Sequence, residues 1–141
     1  MNGPNDLERF LGPQELTHAK ALSEIRAGLK LSHWIWWEFP QLRGLGTSVK
    51  SVKYGLADLS EARFYLAHPL LGTRLVELCM ALMAHRGAAP EAVLGPVDAR
   101  KVQSMASLFS HVDGAPAVFQ DILDGFYGGM RCMRTDQMLA S

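Results

Sequence analysis

The residues best suited to chemistry lie close together. From Lys30 to Ser48 the chain reads KLSHWIWWEFPQLRGLGTS, which holds an ammonium, an imidazole, all three indoles, an amide, a guanidinium and a glycine-punctuated turn. Such a set suits recognition of a small anion. Gly44 and Gly46 would let the backbone come close, and a helix capped by Ser48 would offer unpaired N–H groups. Lys30 and Arg43 would add charge-assisted hydrogen bonds. His33 is the one candidate for catalysis, exchanging a proton or orienting a ligand near neutral pH. Trp34 or Trp37 would stack on a flat ligand, and the Gln41 amide would read its polar edge. Farther along, Lys101, Ser104 and Ser107 recur at helical spacing, so one helix face can present an ammonium and two hydroxyls to the same pocket.

Each of these residues has a structural reading beside the functional one. The glycine turn and Ser48 can serve as a cap alone, and Gln41 can satisfy the turn's own backbone. His33 can donate to a carbonyl at a buried helix start, and His68, just before Pro69, reads as a junction residue. Three indoles within four residues cannot share one face, so at least one belongs to the core, with two favoured. Serine hydroxyls on a helix commonly bond back to the preceding turn. No strand is expected before the glycine turn, so neither the dinucleotide fingerprint nor the P-loop applies. The five histidines and two cysteines show no HExxH or CxxC spacing, so no metal and no cofactor is expected. There is no nucleophile-elbow sequence, and Asp121 and Asp124 read as solvated.

These residues need elements to hold them, and the hydrophobic pattern is helical throughout. Asn5 or Asp6 can cap a short first helix carrying Leu7, Phe10 and Leu11, which Gly12-Pro13 would break or kink. A second helix then runs to about Ala27, with Leu16, Ala19, Leu22, Ile25 and Leu29 recurring every three residues or so and Gly28 as its left-handed stop. Ser32 is the expected N-cap of a short aromatic helix ended by Pro40. Thr47 or Ser48 would cap another through about Leu56. Asp58 and Glu61 fit a capping box, opening a helix with Ala62, Tyr65 and Leu66 inward. Leu71, Leu75, Leu78 and Leu82 show the clearest helical period of the chain. Pro90 to Leu94 makes a single turn. Helices carrying Val102, Met105 and Phe109, then Phe119, Ile122, Leu123 and Phe126, follow, and Thr135 would cap a last turn.

No sustained period-two alternation occurs, so the fold is expected to be all-α: a single compact multihelical domain of short helices over residues 1–141. A chain of this length can bury roughly two-thirds of its extended surface. It carries 14 basic and 14 acidic residues, so no global field draws it to nucleic acid or an anionic membrane. Its most apolar stretch, Leu75 to Ala84, contains Glu77 and is too short to span a bilayer. With no basic start leading into a long apolar run, and two well-separated cysteines that read as reduced thiols, the expected setting is the cytoplasm.

The chain resembles the small bacterial family called domain of unknown function 1810. The resemblance rests on FL-xx-Q at Phe10 to Gln14, AL-x-EIR-x-G-x-K at Ala21 to Lys30 and SHW-x-W at Ser32 to Trp36. It continues in FPQL-x-GLG-x-S at Phe39 to Ser48, EAR-x-YL-x-HP-x-LG-x-RL at Glu61 to Leu75 and D-xx-K-xx-S-xx-S-LF at Asp98 to Phe109. What the resemblance implies is a compact multihelical domain, with no reaction attached. The chain departs from the family pattern at His18, where an aromatic is usual, at Leu31, where a base is usual, and at Glu38, where an apolar residue is usual. It departs again at Met105, in place of a serine, and at Cys132, in place of an acidic residue.

The functional expectation is a domain that binds a small anionic or nucleotide-like ligand, with Lys30, His33, Trp34, Gln41, Arg43, Gly44, Gly46, Ser48, Lys101 and Ser104 as candidate contacts. Whether it is also an enzyme stays open, as does its oligomeric state. The alternative is a non-catalytic protein–protein interaction module using its aromatic segment. A concave polar pocket joining His33, the glycine turn and Lys101 favours the first; a flat apolar patch around exposed tryptophan favours the second.

Overall fold

The computed structural model describes residues 6–141. Its longest helix, α1 (Glu8–Ala27), runs unbroken through Gly12-Pro13, where the sequence suggests two helices. Gly12 lacks the Cβ that a following proline disfavours in helical backbone, and Phe10 and Gln14, both buried, hold the two halves in line. Leu7, not Asp6, is the N-cap, and it makes no side-chain cap bond; Asn5 lies outside the described residues. The inward face of α1 also differs from expectation, since Leu16 is 86% exposed while Gln14 and Glu24 are buried.

Eight further helices follow among the described residues: α2 (Ile35–Glu38), α3 (Val49–Tyr54), α4 (Leu59–Ala67), α5 (Leu71–Met83), α6 (Pro90–Leu94), α7 (Pro96–Ser110), α8 (Val118–Tyr127) and α9 (Met133–Ala140). The fold is all-α. The periodic leucines of α5 are all buried, as are Val102, Met105 and Phe109 of α7 and the four predicted residues of α8. These faces meet: α7 packs on α8, α6, α4 and α9, while α5 lies between α1 and α8. One connected core results, with Phe109 stacked on Phe119 at 5.3 Å and tilted toward Tyr65 at 5.7 Å.

Side-chain anchors set the short helices. Ser48 caps α3 by accepting the Ser51 N–H at 3.2 Å. Asp58 accepts the Glu61 N–H at 2.8 Å, and the Glu61 carboxylate takes the Ala57 N–H at 2.9 Å and the Arg9 guanidinium at 2.7 Å, strapping α4 to α1. His68 accepts the N–H groups of Leu70 and Leu71, a structural task that fixes the α4–α5 corner. At that corner a Cβ on Gly72 would sit 2.0 Å from the Leu66 carbonyl oxygen, so only glycine lets α5 start so close to α4. The chain around the glycine turn is pinned by an isolated bridge, in which the Arg43 N–H donates to Leu56 O at 2.7 Å and the Leu56 N–H to Gln41 O at 2.9 Å. Among the described residues no single helix is long and apolar enough to cross a membrane.

His18 and Glu38 prove to be one feature: the His18 imidazole lies 2.8 Å from the buried Glu38 carboxylate and 3.0 Å from Glu77.

Candidate functional site

The aromatic segment is hung on Glu24. Its carboxylate accepts four hydrogen bonds, from the Leu31 N–H at 2.8 Å, the Ser32 N–H at 2.9 Å, the Ser32 hydroxyl at 2.6 Å and the Trp34 indole N–H at 3.0 Å. Burial alone would raise its pKa, yet these donors outweigh burial and hold it at about 2. Ser32 is therefore not the cap of α2; Trp34 occupies that position without a side-chain bond. Trp34 itself is fully buried and shut off from any ligand. Lys30 lies over the Trp34 ring and pairs with Asp98 at 2.7 Å, its side chain 6% exposed, so its charge is already answered. Trp37 is half-buried, with its N–H on the Thr17 hydroxyl at 2.9 Å and its edge against Tyr54.

The third indole faces a cleft. Trp36, the glycine turn, the outer face of α7 and the start of α9 enclose a concavity of about 810 Å³, within the range of ligand sites. Of the sequence-predicted residues, Gln41, Gly46, Ser48, Lys101 and Ser104 line it together. Lys30, His33, Trp34, Arg43 and Gly44 do not line it. His33 is exposed, and the Arg43 side chain braces the loop through the Val52 carbonyl at 2.9 Å. The Gly44 carbonyl, for its part, receives Arg134 at 3.3 Å. Gly46 has a local reason to be glycine, because a Cβ there would lie 2.6 Å from the Ser51 hydroxyl.

Four cations line this cleft, Arg100, Lys101, Arg131 and Arg134, with no carboxylate among the described lining residues. Lys101 sits 3.9 Å from the centre of the Trp36 ring and 3.2 Å from Asp98. Arg131 is fixed by Asp136 at 2.8 Å, by the Ser107 carbonyl at 3.0 Å and by the Ser110 hydroxyl at 2.9 Å. The Ser104 and Ser107 hydroxyls do bond back to the preceding turn, at Arg100 O and Gln103 O. Both also meet Cys132: Ser104 donates to its sulfur at 3.2 Å, and the Cys132 N–H donates to Ser107 at 2.8 Å.

Cys132, and not Thr135, is the cap of α9, its sulfur accepting the Thr135 N–H at 3.5 Å and the Thr135 hydroxyl at 3.1 Å. Burial pushes the thiol up, but the donors from Ser104, Thr135 and the backbone prevail and hold it below the ordinary thiol value. Cys79 differs: it is wholly buried, and desolvation pushes its thiol far up.

Sequence reasoning missed Trp36, Arg100, Arg131, Arg134 and Cys132. Arg100 was within reach, since Val97, Arg100, Lys101 and Ser104 fall at i, i+3, i+4 and i+7 on α7. A second concavity, of about 540 Å³, lies at the α4–α5 corner against the α7–α8 connection. Its lining includes Arg63 and Asp113 among mostly apolar and small residues, and none of the predicted candidates. Among the described residues no three histidine, cysteine, aspartate or glutamate side chains gather as a metal site.

A family model described as "Protein of unknown function (DUF1810)" matches residues 4–139. Among solved structures the chain is similar to a conserved hypothetical protein from Mycobacterium tuberculosis, at 41% identity and a TM-score of 0.95 over 99% of each chain. No curated protein matches it.

Proposed function

Since the chain belongs to the DUF1810 family, whose description assigns no activity, we propose its function from the cleft itself: it binds a small anionic ligand there. The observation that carries this reading is the clustering of four cationic side chains in one concavity whose lining holds no carboxylate among the described residues. In a chain of zero formal net charge, such a local excess attracts anions and raises their concentration at the cleft mouth. Arg100, Lys101 and Arg134 would meet the anion, and Gln41, Ser48 and Ser104 supply neutral polar atoms to the same lining. Lys30, Trp34 and Glu24 act behind the wall, positioning the aromatic segment. With both cysteines unpaired, a cytoplasmic setting belongs to the proposal.

A thermal-shift panel of nucleotides, sugar phosphates and inorganic pyrophosphate tests it. A ligand at one hundred times its Kd adds about 2.7 kcal/mol, a rise of about 5 to 10 °C for a chain of this size. The doubly reversed variant Arg100→Glu with Arg134→Glu, both at exposed positions, should fold and lose the rise. No rise across the panel, or a rise that survives the reversal, refutes the reading.

A further inference from the structure

We infer that the ligand of the cleft is a phosphate monoester dianion carrying a flat apolar body, as opposed to inorganic phosphate or a simple carboxylate. This rests on the anion-binding reading above and narrows it. Two independent features of the same lining lead here.

The first is charge. Of the four cations, Lys101 shares Asp98 with Lys30, and Arg131 is taken by Asp136. Arg100 is exposed with no carboxylate within pairing distance among the described residues, and Arg134 donates to the Gly44 carbonyl, a neutral oxygen. Two guanidinium charges therefore stand in the same lining without a carboxylate partner, one on α7 and one on α9. A carboxylate would answer one of them. A phosphate monoester, whose second proton leaves near pH 6, answers both at neutral pH and presents oxygens in the geometry a guanidinium fork accepts.

The second is the apolar wall. Trp36, Leu45, Val97, Met130 and Met133 share the lining, and Val97, Met130 and Met133 remain 65%, 70% and 72% exposed. Large apolar side chains left in water around one concavity mark a surface made to be covered. Methionine is the side chain best able to fit itself to a ring, and Trp36 supplies a rigid flank. Inorganic phosphate would leave that wall wet. An aromatic body attached to the phosphate would cover it.

Isothermal titration with 1-naphthyl phosphate, inorganic phosphate and 1-naphthol separates these contributions. The wild-type protein should bind 1-naphthyl phosphate at least tenfold more tightly than either of the other two. Arg100→Gln with Arg134→Gln should abolish the preference over 1-naphthol. Val97→Ser with Met133→Ser should abolish the preference over inorganic phosphate. All four positions are exposed, so both double variants should keep the fold. Inorganic phosphate binding as tightly as 1-naphthyl phosphate overturns this inference and leaves the anion reading standing. Equal binding of 1-naphthol overturns both. Absence of 1-naphthyl phosphate binding, or binding indifferent to either pair of substitutions, overturns the inference alone, and the thermal-shift panel then decides the broader reading.

Discussion

Replacing Glu24 by glutamine changes one oxygen to nitrogen in the hub that holds the aromatic segment, and its cost can be worked from the structure. Glutamine can keep all four contacts: its carbonyl oxygen can replace Oε1, which accepts from Leu31, Ser32 and Trp34, and its NH₂ can donate to the Ser32 hydroxyl. What disappears is the charge. The folded carboxyl titrates at about 2 against an ordinary 4.5, and at roughly 1.4 kcal/mol per pH unit the gap is worth about 3 kcal/mol. Because the folded pKa is the lower one, this stability is fully present above 4.5 and is lost as pH falls toward 2. Urea denaturation of both proteins should therefore show Glu24→Gln less stable by about 3 kcal/mol at neutral pH. The difference should shrink to about 1 kcal/mol near pH 3, where the carboxyl is already protonated in the unfolded chain but still mostly ionised in the folded one. A loss below about 1 kcal/mol at neutral pH, or a difference that ignores pH, would refute the claim that an ionised hub holds the segment.

Two further predictions concern packing and the opposite sign of linkage. The hydrogen bond from His18 to Glu38, opposed by burial and helped by Glu77, raises the His18 pKa above 6.5; its stabilisation is present below 6.5 and lost as pH rises through the folded value. Wild-type stability should thus fall relative to His18→Gln as pH rises above 6.5 in urea titrations, and parallel curves would contradict it. Gly72→Ala should destabilise by about 1 to 3 kcal/mol, although alanine gains about 1 kcal/mol in helix propensity, because its Cβ must displace the Leu66 carbonyl; an unchanged or raised Tm would show that the α4–α5 corner yields freely.

Much of the helical frame was readable from spacing, because α5, α7 and α8 bury leucine, valine, methionine and phenylalanine at regular helical intervals. The frame failed at α1, where polar residues point inward. Gln14 turns in to bond the Trp37 carbonyl at 2.7 Å and the Tyr65 hydroxyl at 3.0 Å, and Glu24 turns in to the hub, while Leu16 is left in water. No apolar period records such choices, since the partners lie elsewhere in the chain. The same reason explains the indoles. Their crowding showed that they must diverge, but Glu24 decides which ring is interred, and that is a contact across the α1–α2 connection. The cleft was half legible: the glycine turn and the Lys101–Ser104 face announced themselves by type and spacing. Arg131, Cys132 and Arg134 follow Gly128-Gly129, where no hydrophobic repeat orients a side chain.

The ammonium of Lys101 resting on Trp36 gives the cleft an optical property of its own. A positive charge so near an indole perturbs its excited state, and an arriving anion that draws the ammonium aside changes the ring's emission. Trp34, fully buried, and Trp37, tied to Thr17, supply the remaining emission. If the proposed anion binds there, the protein's native fluorescence would report its occupancy, with no dye attached.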